Sequence, residues 1–134
     1  MHYASWAEVL QVNTMGPMRV SEAFVDNVAA SEQKKIITIS SGLGSISGAT
    51  SGYFAYRSSK AAVNMVMVTL AAELAPLEII VTVIDPGWCR TDMGGSAAHH
   101  DPADSVAGMR AVIESLTTAD SGTFRHHAGE TLPW

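Results

Sequence analysis

The sequence predicts an α/β fold built on a parallel sheet, because two short apolar strands flank one long helical segment. Lys34–Ser41 and Ile79–Ile84 have nearly continuous apolar centres, which is typical of strands buried on both faces of such a sheet. The helix predicted from about Tyr56 to Leu74 connects them. A right-handed crossover then places both strand ends and the helix start at one edge, where open α/β sheets bind ligands.

The first helical pattern runs from Trp6 to about Ala30 and is broken at Gly16-Pro17. In an unbroken helix the N–H at position 17 would bond to the carbonyl of Asn13, and proline has no N–H. The sequence therefore predicts a free Asn13 carbonyl. The alternative is that Asn13 merely tolerates a kink.

A glycine cluster, Gly42–Gly48, follows the first strand and superficially matches a dinucleotide-binding loop. Ser47 stands where GxGxxG needs its third glycine, and no acidic residue lies about 20 positions further on to bind a ribose hydroxyl. We therefore expect a loop on the substrate side of the sheet.

Tyr56 and Lys60 are the main candidates for chemistry, because side chains four residues apart share one face of a helix. A nearby cation favours the phenolate form of a tyrosine, as does the positive end of a helix, so the pair is suited to proton transfer. The alternative is an amphipathic pair on a surface helix.

The region after the second strand is predicted to be a flexible loop, Gly94–Pro102, followed by a helix that starts at Asp101-Pro102. The apolar face of that helix comprises Val106, Met109, Val112, Ile113 and Leu116. The pairs His99-His100 and His126-His127 do not predict a metal site, since adjacent histidines diverge and no third ligand has a metal-like spacing. We expect them to lie in solvated loops.

Composition excludes several classes of protein. The net charge of −5 and the pI near 5.4 argue against nucleic acid or an anionic membrane as partner, and a hydrophobic content of 47% argues against a disordered chain. The single cysteine, Cys89, fits a reducing compartment. No secretory signal is visible, and the longest apolar stretch, Ala61–Ala72, is short and is interrupted by Asn64 and Thr69. A cytoplasmic protein is therefore expected.

Four motifs occur in a characteristic order. They are Asn13 with Gly16-Pro17, then Ile39-Ser40-Ser41, then Tyr56-x-x-x-Lys60, then Pro86-Gly87 followed by Thr91. Together they resemble the short-chain dehydrogenase/reductase family. The segments Tyr53–Lys60, Pro86–Gly95 and Leu132–Trp134 are similar to its C-factor-like and sniffer-like carbonyl reductase branch, and the resemblance covers essentially the whole chain.

The resemblance implies that residues 1–134 form a single partial Rossmann domain, the C-terminal portion of a doubly wound parallel sheet with about three strands and flanking helices. Thr123–Trp134 would supply the family's last strand and turn. The family's TGxxxGxG and NNAG segments have no counterpart, so the N-terminal cofactor-binding half is expected to be absent. We then expect weak binding of NAD or NADP, and an unpaired edge on the strand Ile36–Ser40.

The resemblance also implies roles for individual residues. Tyr56 would give a proton to the carbonyl oxygen, and Ser41 would hold that oxygen, with Ser40 as the alternative if the strand ends earlier. Lys60 would favour the phenolate and bind the nicotinamide ribose, and Asn13 would anchor a proton-relay water. The implied cofactor contacts are Tyr56, Lys60, Pro86, Gly87 and Thr91, with Thr91 near the carboxamide.

The expected function is NAD(P)(H)-dependent carbonyl reduction or alcohol oxidation on a small molecule. Two alternatives stay open, namely a truncated inactive fragment and a dimerisation or interaction module. The helix Tyr56–Leu74 is apolar on nearly all sides, which is more than one sheet-facing stripe needs. Because the matching family helix packs against its copy in a partner subunit, a homo-oligomer through this helix is implied, unless the surplus face is covered by this chain or left exposed.

Overall fold

Three parallel strands with helices on both faces make up the fold in the computed structural model, which describes residues 2–134. The elements are α1 (Tyr3–Leu10), α2 (Gly16–Ala29), β1 (Lys35–Ile39), α3 (Phe54–Leu74), β2 (Ile80–Asp85), α4 (Pro102–Ser115) and β3 (Phe124–His126). The predicted α/β class and the partial parallel sheet are therefore confirmed.

The sheet has the order β1-β2-β3, and both pairs of neighbours run parallel. Ile39 lies opposite Ile84 at the end of the first pair, and Asp85 lies opposite His126 at the end of the second. The residues that follow all three strands are consequently gathered at one edge of the sheet. This is the edge at which the sequence predicts a ligand.

The central strand β2 is buried on both faces, as its apolar run predicts. On one side its side chains pack with α3, and on the other they pack with α4. The α3 side of the core contains Val63, Met67, Leu70, Ala71, Leu74, Ile79, Val81, Val83 and Phe124. The α4 side contains Ile80, Ile84, Val112 and Leu116. Alternate residues of one strand thus bury apolar surface against two layers of helix.

The long helix α3 begins two residues earlier than predicted, at Phe54, and ends at Leu74 as predicted. Tyr53, just before it, adopts a left-handed backbone with φ of 53°. The segment Phe54–Leu77 has the length and hydropathy of a membrane-spanning helix. Its buried apolar side chains nevertheless belong to the core against the sheet, so the structure uses it as a core helix.

Within residues 2–134, β1 pairs only with β2, and its other edge is open. A groove of about 440 Å³ runs along this edge between β1 and α2, with Val20, Phe24 and Ile37 among its lining residues. Ile39 is 46% exposed there. The expectation of an unpaired strand edge is thus confirmed for the described residues.

The segment Gly94–Pro102 differs from the flexible loop that was predicted. It folds back so that the His100 N–H donates to the Trp88 carbonyl at 3.0 Å, and the Arg90 N–H donates to the His100 carbonyl at 2.9 Å. Within the segment, the side chain of Ala98 is buried. Because these bonds join main-chain groups, the side-chain pattern gave no signal of them.

Candidate active site

Tyr56 and Lys60 lie on one face of α3 near its start, as their spacing predicts. The Lys60 Nζ atom lies 5.7 Å from the centre of the Tyr56 ring. It also donates a 3.3 Å hydrogen bond to the carbonyl of Ile39, the last residue of β1. Burial lowers the pKa of the Lys60 ammonium, because the charged form loses solvation. One cation therefore connects the helix start to the strand end.

Asn13 lies in a π-helical turn, Gln11–Met15, between α1 and α2. The sequence predicted a break at Gly16-Pro17, but the chain stays helical and widens instead. The Gly16 N–H donates to the carbonyl of Gln11, five residues earlier. A wider turn accommodates the missing N–H of Pro17 without ending the helix, and such turns are frequent at functional sites.

The π-helical turn is fixed against α3 by two side chains. Asn13 Nδ2 donates to Ser59 Oγ at 3.1 Å, and Thr14 Oγ1 donates to the Ser59 carbonyl at 3.0 Å. Ser59 Oγ in turn donates to the Tyr56 carbonyl at 2.8 Å. These bonds hold Asn13 beside the helical turn that carries Tyr56 and Lys60.

The two serines after β1 have different environments. Ser40 extends the strand, with its N–H donating to the Ile84 carbonyl at 2.8 Å, and its buried hydroxyl donates to Asn64 Oδ1 at 2.7 Å. Ser41 is half-buried, and its hydroxyl oxygen accepts the Leu43 N–H at 3.2 Å. Of the two, Ser41 is the serine whose hydroxyl proton is not bonded within residues 2–134.

Asn64 is a buried residue of the site that was not predicted from the sequence, where it only interrupts an apolar stretch. Its side chain accepts from Ser40 and also donates to the Gly44 carbonyl at 3.5 Å, so it fixes the loop after β1. That loop lies close to α3, since a Cβ on Gly44 would approach the Lys60 backbone to 2.9 Å. The available signal was the position of Asn64 four residues after Lys60, on the same helix face.

The Pro86-Gly87 turn after β2 is held by bonds on both sides. Gly87 has a φ of 73°, and its N–H donates to Asp85 Oδ1 at 3.0 Å. The Pro86 carbonyl accepts the Ser105 hydroxyl of α4 at 2.6 Å. Further along, the exposed Thr91 hydroxyl accepts the Gly94 N–H at 3.1 Å, which closes the next turn.

A cleft of about 610 Å³ brings part of the predicted site together. Its lining residues are Val9, Asn13, Tyr53, Phe54, Ala55, Tyr56, Lys60 and Met93. Asn13, Tyr56 and Lys60 therefore face one space. Ser41, the Pro86-Gly87 turn and Thr91 do not line this cleft, although Met93, two residues after Thr91, does.

Three of the histidines lie together rather than in separate solvated loops. His126 and His127 have ring centroids 4.2 Å apart, and the His100 ring lies 4.6 Å from that of His127. His127 is buried, with 9% exposure. This arrangement differs from the divergent, solvated histidines that the sequence predicted, because the folded-back segment carries His100 to the end of β3.

Comparison with known proteins places this chain in a family. The family profile described as short chain dehydrogenase matches residues 1–102. C-signal of Myxococcus xanthus is 36% identical over 133 residues, which cover 98% of this chain and 80% of that protein. The 1-hydroxy-2-glutathionyl-2-methyl-3-butene dehydrogenase of Rhodococcus sp. is 34% identical over 130 residues, covering 93% of this chain and 57% of that protein.

Solved structures agree with this assignment. The carbonyl reductase Sniffer of D. melanogaster matches with a TM-score of 0.94 at 33% identity, over 100% of this chain and 59% of that chain. The NADPH-bound carbonyl reductase from chicken fatty liver matches with a TM-score of 0.93 at 31% identity, over 100% of this chain and 59% of that one. The chain thus spans well under two thirds of these two solved relatives. The family profile, the sequence relatives and the shared fold together show that this chain belongs to the short-chain dehydrogenase/reductase family and resembles its carbonyl reductases.

Proposed function

We propose that this chain is an NAD(P)(H)-dependent oxidoreductase that reduces a carbonyl group or oxidises an alcohol, with Tyr56 as the acid/base. The observation that carries the proposal is the placement of the Tyr56 ring beside the Lys60 ammonium in the cleft that Asn13 also lines. Carbonyl reduction needs a proton donor next to the oxygen that becomes a hydroxyl, and the phenol is such a donor.

Lys60 has two tasks in this proposal. As a cation beside the ring, it favours the negative phenolate that remains after Tyr56 has given up its proton. An ammonium has three N–H groups, and one of them is directed to the Ile39 carbonyl. The other two suit the hydroxyls of a ribose, so the residues present fit a nicotinamide nucleotide.

Ser41 is the proposed partner for the substrate oxygen. Its own oxygen accepts the Leu43 N–H, so the hydroxyl proton remains to be donated to a ligand. Ser40 is unsuited to this task, because its hydroxyl is committed to Asn64 in the core of the loop. In the reduction direction the substrate oxygen would accept from both Ser41 and Tyr56, and the proton of Tyr56 would pass to it.

The cofactor would be contacted by Pro86, Gly87 and Thr91 as well as by Tyr56 and Lys60. When bound, a nicotinamide supplies the hydride that the carbonyl carbon receives. Asn13 would anchor a water through which Lys60 exchanges protons with solvent, and the π-helical turn supports this role by fixing Asn13 next to α3. Two solved relatives are described with NADPH or NADP bound, which supports a cofactor of the NAD(P) class.

The test compares variants in a reductase assay with NADPH and a panel of aldehydes and ketones. Because the chain spans 59% of its solved relatives, the assay is run on this chain and on a fusion that adds the N-terminal half of a carbonyl reductase. Tyr56→Phe removes the transferable proton and should lower the rate by about 10²–10⁴. Ser41→Ala removes one positioning donor and should lower it by about 10²–10³, the smaller of the two losses.

Tyr53→Phe is the matched control, because Tyr53 lines the same cleft but is largely exposed and precedes α3. It should leave the rate within about twofold of the parent, since an exposed hydroxyl outside the pair takes no part in the proton transfer. A Tyr56→Phe variant as active as the parent would end the catalytic proposal. The interaction-module alternative, which the open β1 edge supports, would then become the better explanation.

A further inference from the structure

Three histidines at the carboxyl edge of the sheet form a cluster that the proposed reaction does not use. His126 is the last residue of β3, His127 follows it, and His100 comes from the segment that folds back onto Trp88. One ring nitrogen of each histidine lies within 4.8 Å of the corresponding nitrogens of the other two. From this convergence we infer that His100, His126 and His127 form a binding site for a divalent transition-metal ion, with Zn²⁺ as the ion that fits best.

The protein backbone sets the positions of the three rings. The His127 N–H donates to the Asp85 carbonyl at 2.9 Å, which continues the parallel pairing of β3 with β2. Helix α4 covers His127 closely, since a Cβ on Gly108 would lie 2.5 Å from the His127 carbonyl oxygen. His100 is fixed by its two main-chain bonds to Trp88 and Arg90. Main-chain hydrogen bonds therefore hold the backbone of the ligand-bearing residues in place before an ion binds.

His127 supplies the strongest single indication of a ligand. Its Nε2 atom is buried and has no hydrogen-bond partner within residues 2–134. Buried polar atoms are nearly always satisfied, because an unmade hydrogen bond costs about 1–3 kcal/mol. A metal ion bound to that lone pair would satisfy it, together with the nitrogens of its two neighbours.

A carboxylate contacts one of the proposed ligands, His126. Glu130 Oε2 lies 3.2 Å from His126 Nδ1, and the Ala128 N–H approaches the same nitrogen at the longer distance of 3.4 Å. Because a carboxylate only accepts, the shorter contact favours a proton on Nδ1 and leaves the Nε2 lone pair for an ion. Metal-binding histidines commonly donate their second nitrogen to a carboxylate in this way.

The ligand set favours Zn²⁺ over harder ions. Three imidazoles suit Zn²⁺, Cu²⁺ or Ni²⁺, whereas Mg²⁺ and Ca²⁺ prefer oxygen ligands. Zn²⁺ commonly takes three protein ligands and one water at distances of about 2.0–2.1 Å, which places its ligand nitrogens about 3.4 Å apart. The ring nitrogens of the three histidines now lie within 4.8 Å of one another. The rings of His100 and His126 are half-exposed, so rotation about their side-chain bonds can bring these nitrogens to the shorter spacing.

The experiment titrates metal-free protein, without any histidine tag, with ZnCl₂ in a calorimeter. We expect one Zn²⁺ per chain with a micromolar or lower Kd, and Co²⁺ should give the absorption bands of a four-coordinate site. His100→Gln and His126→Gln should each weaken binding by at least about tenfold, and Glu130→Gln by about 10–100-fold. The matched control is His99→Gln, which alters the neighbouring exposed histidine that packs on Trp88 and should leave the Kd unchanged.

Circular dichroism checks that each variant is folded before it is titrated. If one of the two histidine variants does not fold, the other and Glu130→Gln decide the result. The inference is overturned if Zn²⁺ binds no more tightly than millimolar, or if one ion binds per two chains. It is also overturned if His99→Gln weakens binding as much as His100→Gln does, because nonspecific Zn²⁺ binding to surface histidines would then explain the data.

Discussion

At the residue scale, Lys60 makes two contacts from a half-buried position. It places a cation beside the Tyr56 ring, and it donates a hydrogen bond to the carbonyl of Ile39 at the end of β1. Burying an ammonium costs free energy, because one backbone carbonyl does not replace its lost water. A site that keeps this charge at such a cost is consistent with a functional use of it.

The partial desolvation of the Lys60 charge predicts a pH dependence of stability. The pKa of Lys60 is lowered from 10.5 by desolvation, so between the lowered pKa and 10.5 the folded chain binds fewer protons than the unfolded chain. The free energy of unfolding should therefore gain a rising contribution with pH across that window, as the folded chain sheds the unfavourable charge. Below the lowered pKa both states are charged and this contribution is flat.

Urea denaturation measured from neutral pH up to 10.5 would detect this contribution as the difference between the parent and Lys60→Met. Methionine keeps an apolar stem and has no charge, so its curve should lack the rise. Lys34→Met, at a half-exposed position, is the control and should retain it. A parent curve that falls relative to Lys60→Met over the same interval would contradict a desolvated ammonium.

At the element scale, the sequence predicted those parts of the fold that depend on local patterns. The strands β1 and β2 and the helix α3 were predicted because apolar runs and periodicity are properties of consecutive residues, whereas β3 was expected only from the family resemblance. The π-helical turn was not predicted, because Pro17 explains the loss of one hydrogen bond but not the choice between a wider turn and a break. The pairing of His100 with Trp88 depends on main-chain contacts made only in the folded chain.

The candidate site likewise contains parts that local sequence patterns predicted and parts that depend on contacts made only in the folded chain. The Tyr56 and Lys60 pair follows from helix geometry and needed no tertiary information. The difference between Ser40 and Ser41 became visible only when the strand was seen to continue through Ser40 and its hydroxyl to reach Asn64. The three-histidine cluster could not be read from the chain either, since His100 lies on a different element from the other two.

A short turn before β3 gives a prediction about element stability. The Asp120 carboxylate accepts the Thr117 N–H at 2.9 Å and the Thr117 hydroxyl at 2.8 Å, and it lies 3.3 Å from an Arg125 nitrogen. The two Thr117 bonds lower the pKa of Asp120, so its stabilising effect is present at neutral pH and is lost on acidification through that lowered pKa. Asp120→Ala should lower the free energy of unfolding by about 1 kcal/mol at neutral pH.

Glu114→Ala provides the comparison, because Glu114 makes an exposed ion pair with Arg110 at 3.7 Å. Exposed pairs contribute little, so the loss should stay below about 0.5 kcal/mol. Chemical denaturation at neutral pH measures both variants. Equal losses in the two variants would show that the turn before β3 does not depend on its carboxylate.

At the scale of the whole molecule, the outer surface of the helical layer carries exposed apolar side chains. Val12 of the π-helical turn and Met65 of α3 are largely exposed, Met15 is half-exposed, and the two elements pack against each other. Apolar side chains this exposed on adjacent helical elements are typical of a surface that contacts another protein. We therefore expect the chain to self-associate through α3, as the family resemblance implies.

Two methionines of α3 differ in exposure in a way that the sequence did not predict, and this difference makes the self-association testable. Met65 is 67% exposed, whereas Met67 is 1% exposed and belongs to the core. Met65→Glu should therefore shift the chain to monomer without unfolding it, because the charge opposes an apolar contact between copies. Met67→Glu should instead unfold the chain, since an unpaired carboxylate would be buried against the sheet. Met93→Glu places the same charge on an exposed loop and should leave association unchanged. Sedimentation velocity at micromolar concentrations distinguishes these outcomes, and a parent chain that sediments as a single monomeric species would contradict the proposed contact through α3.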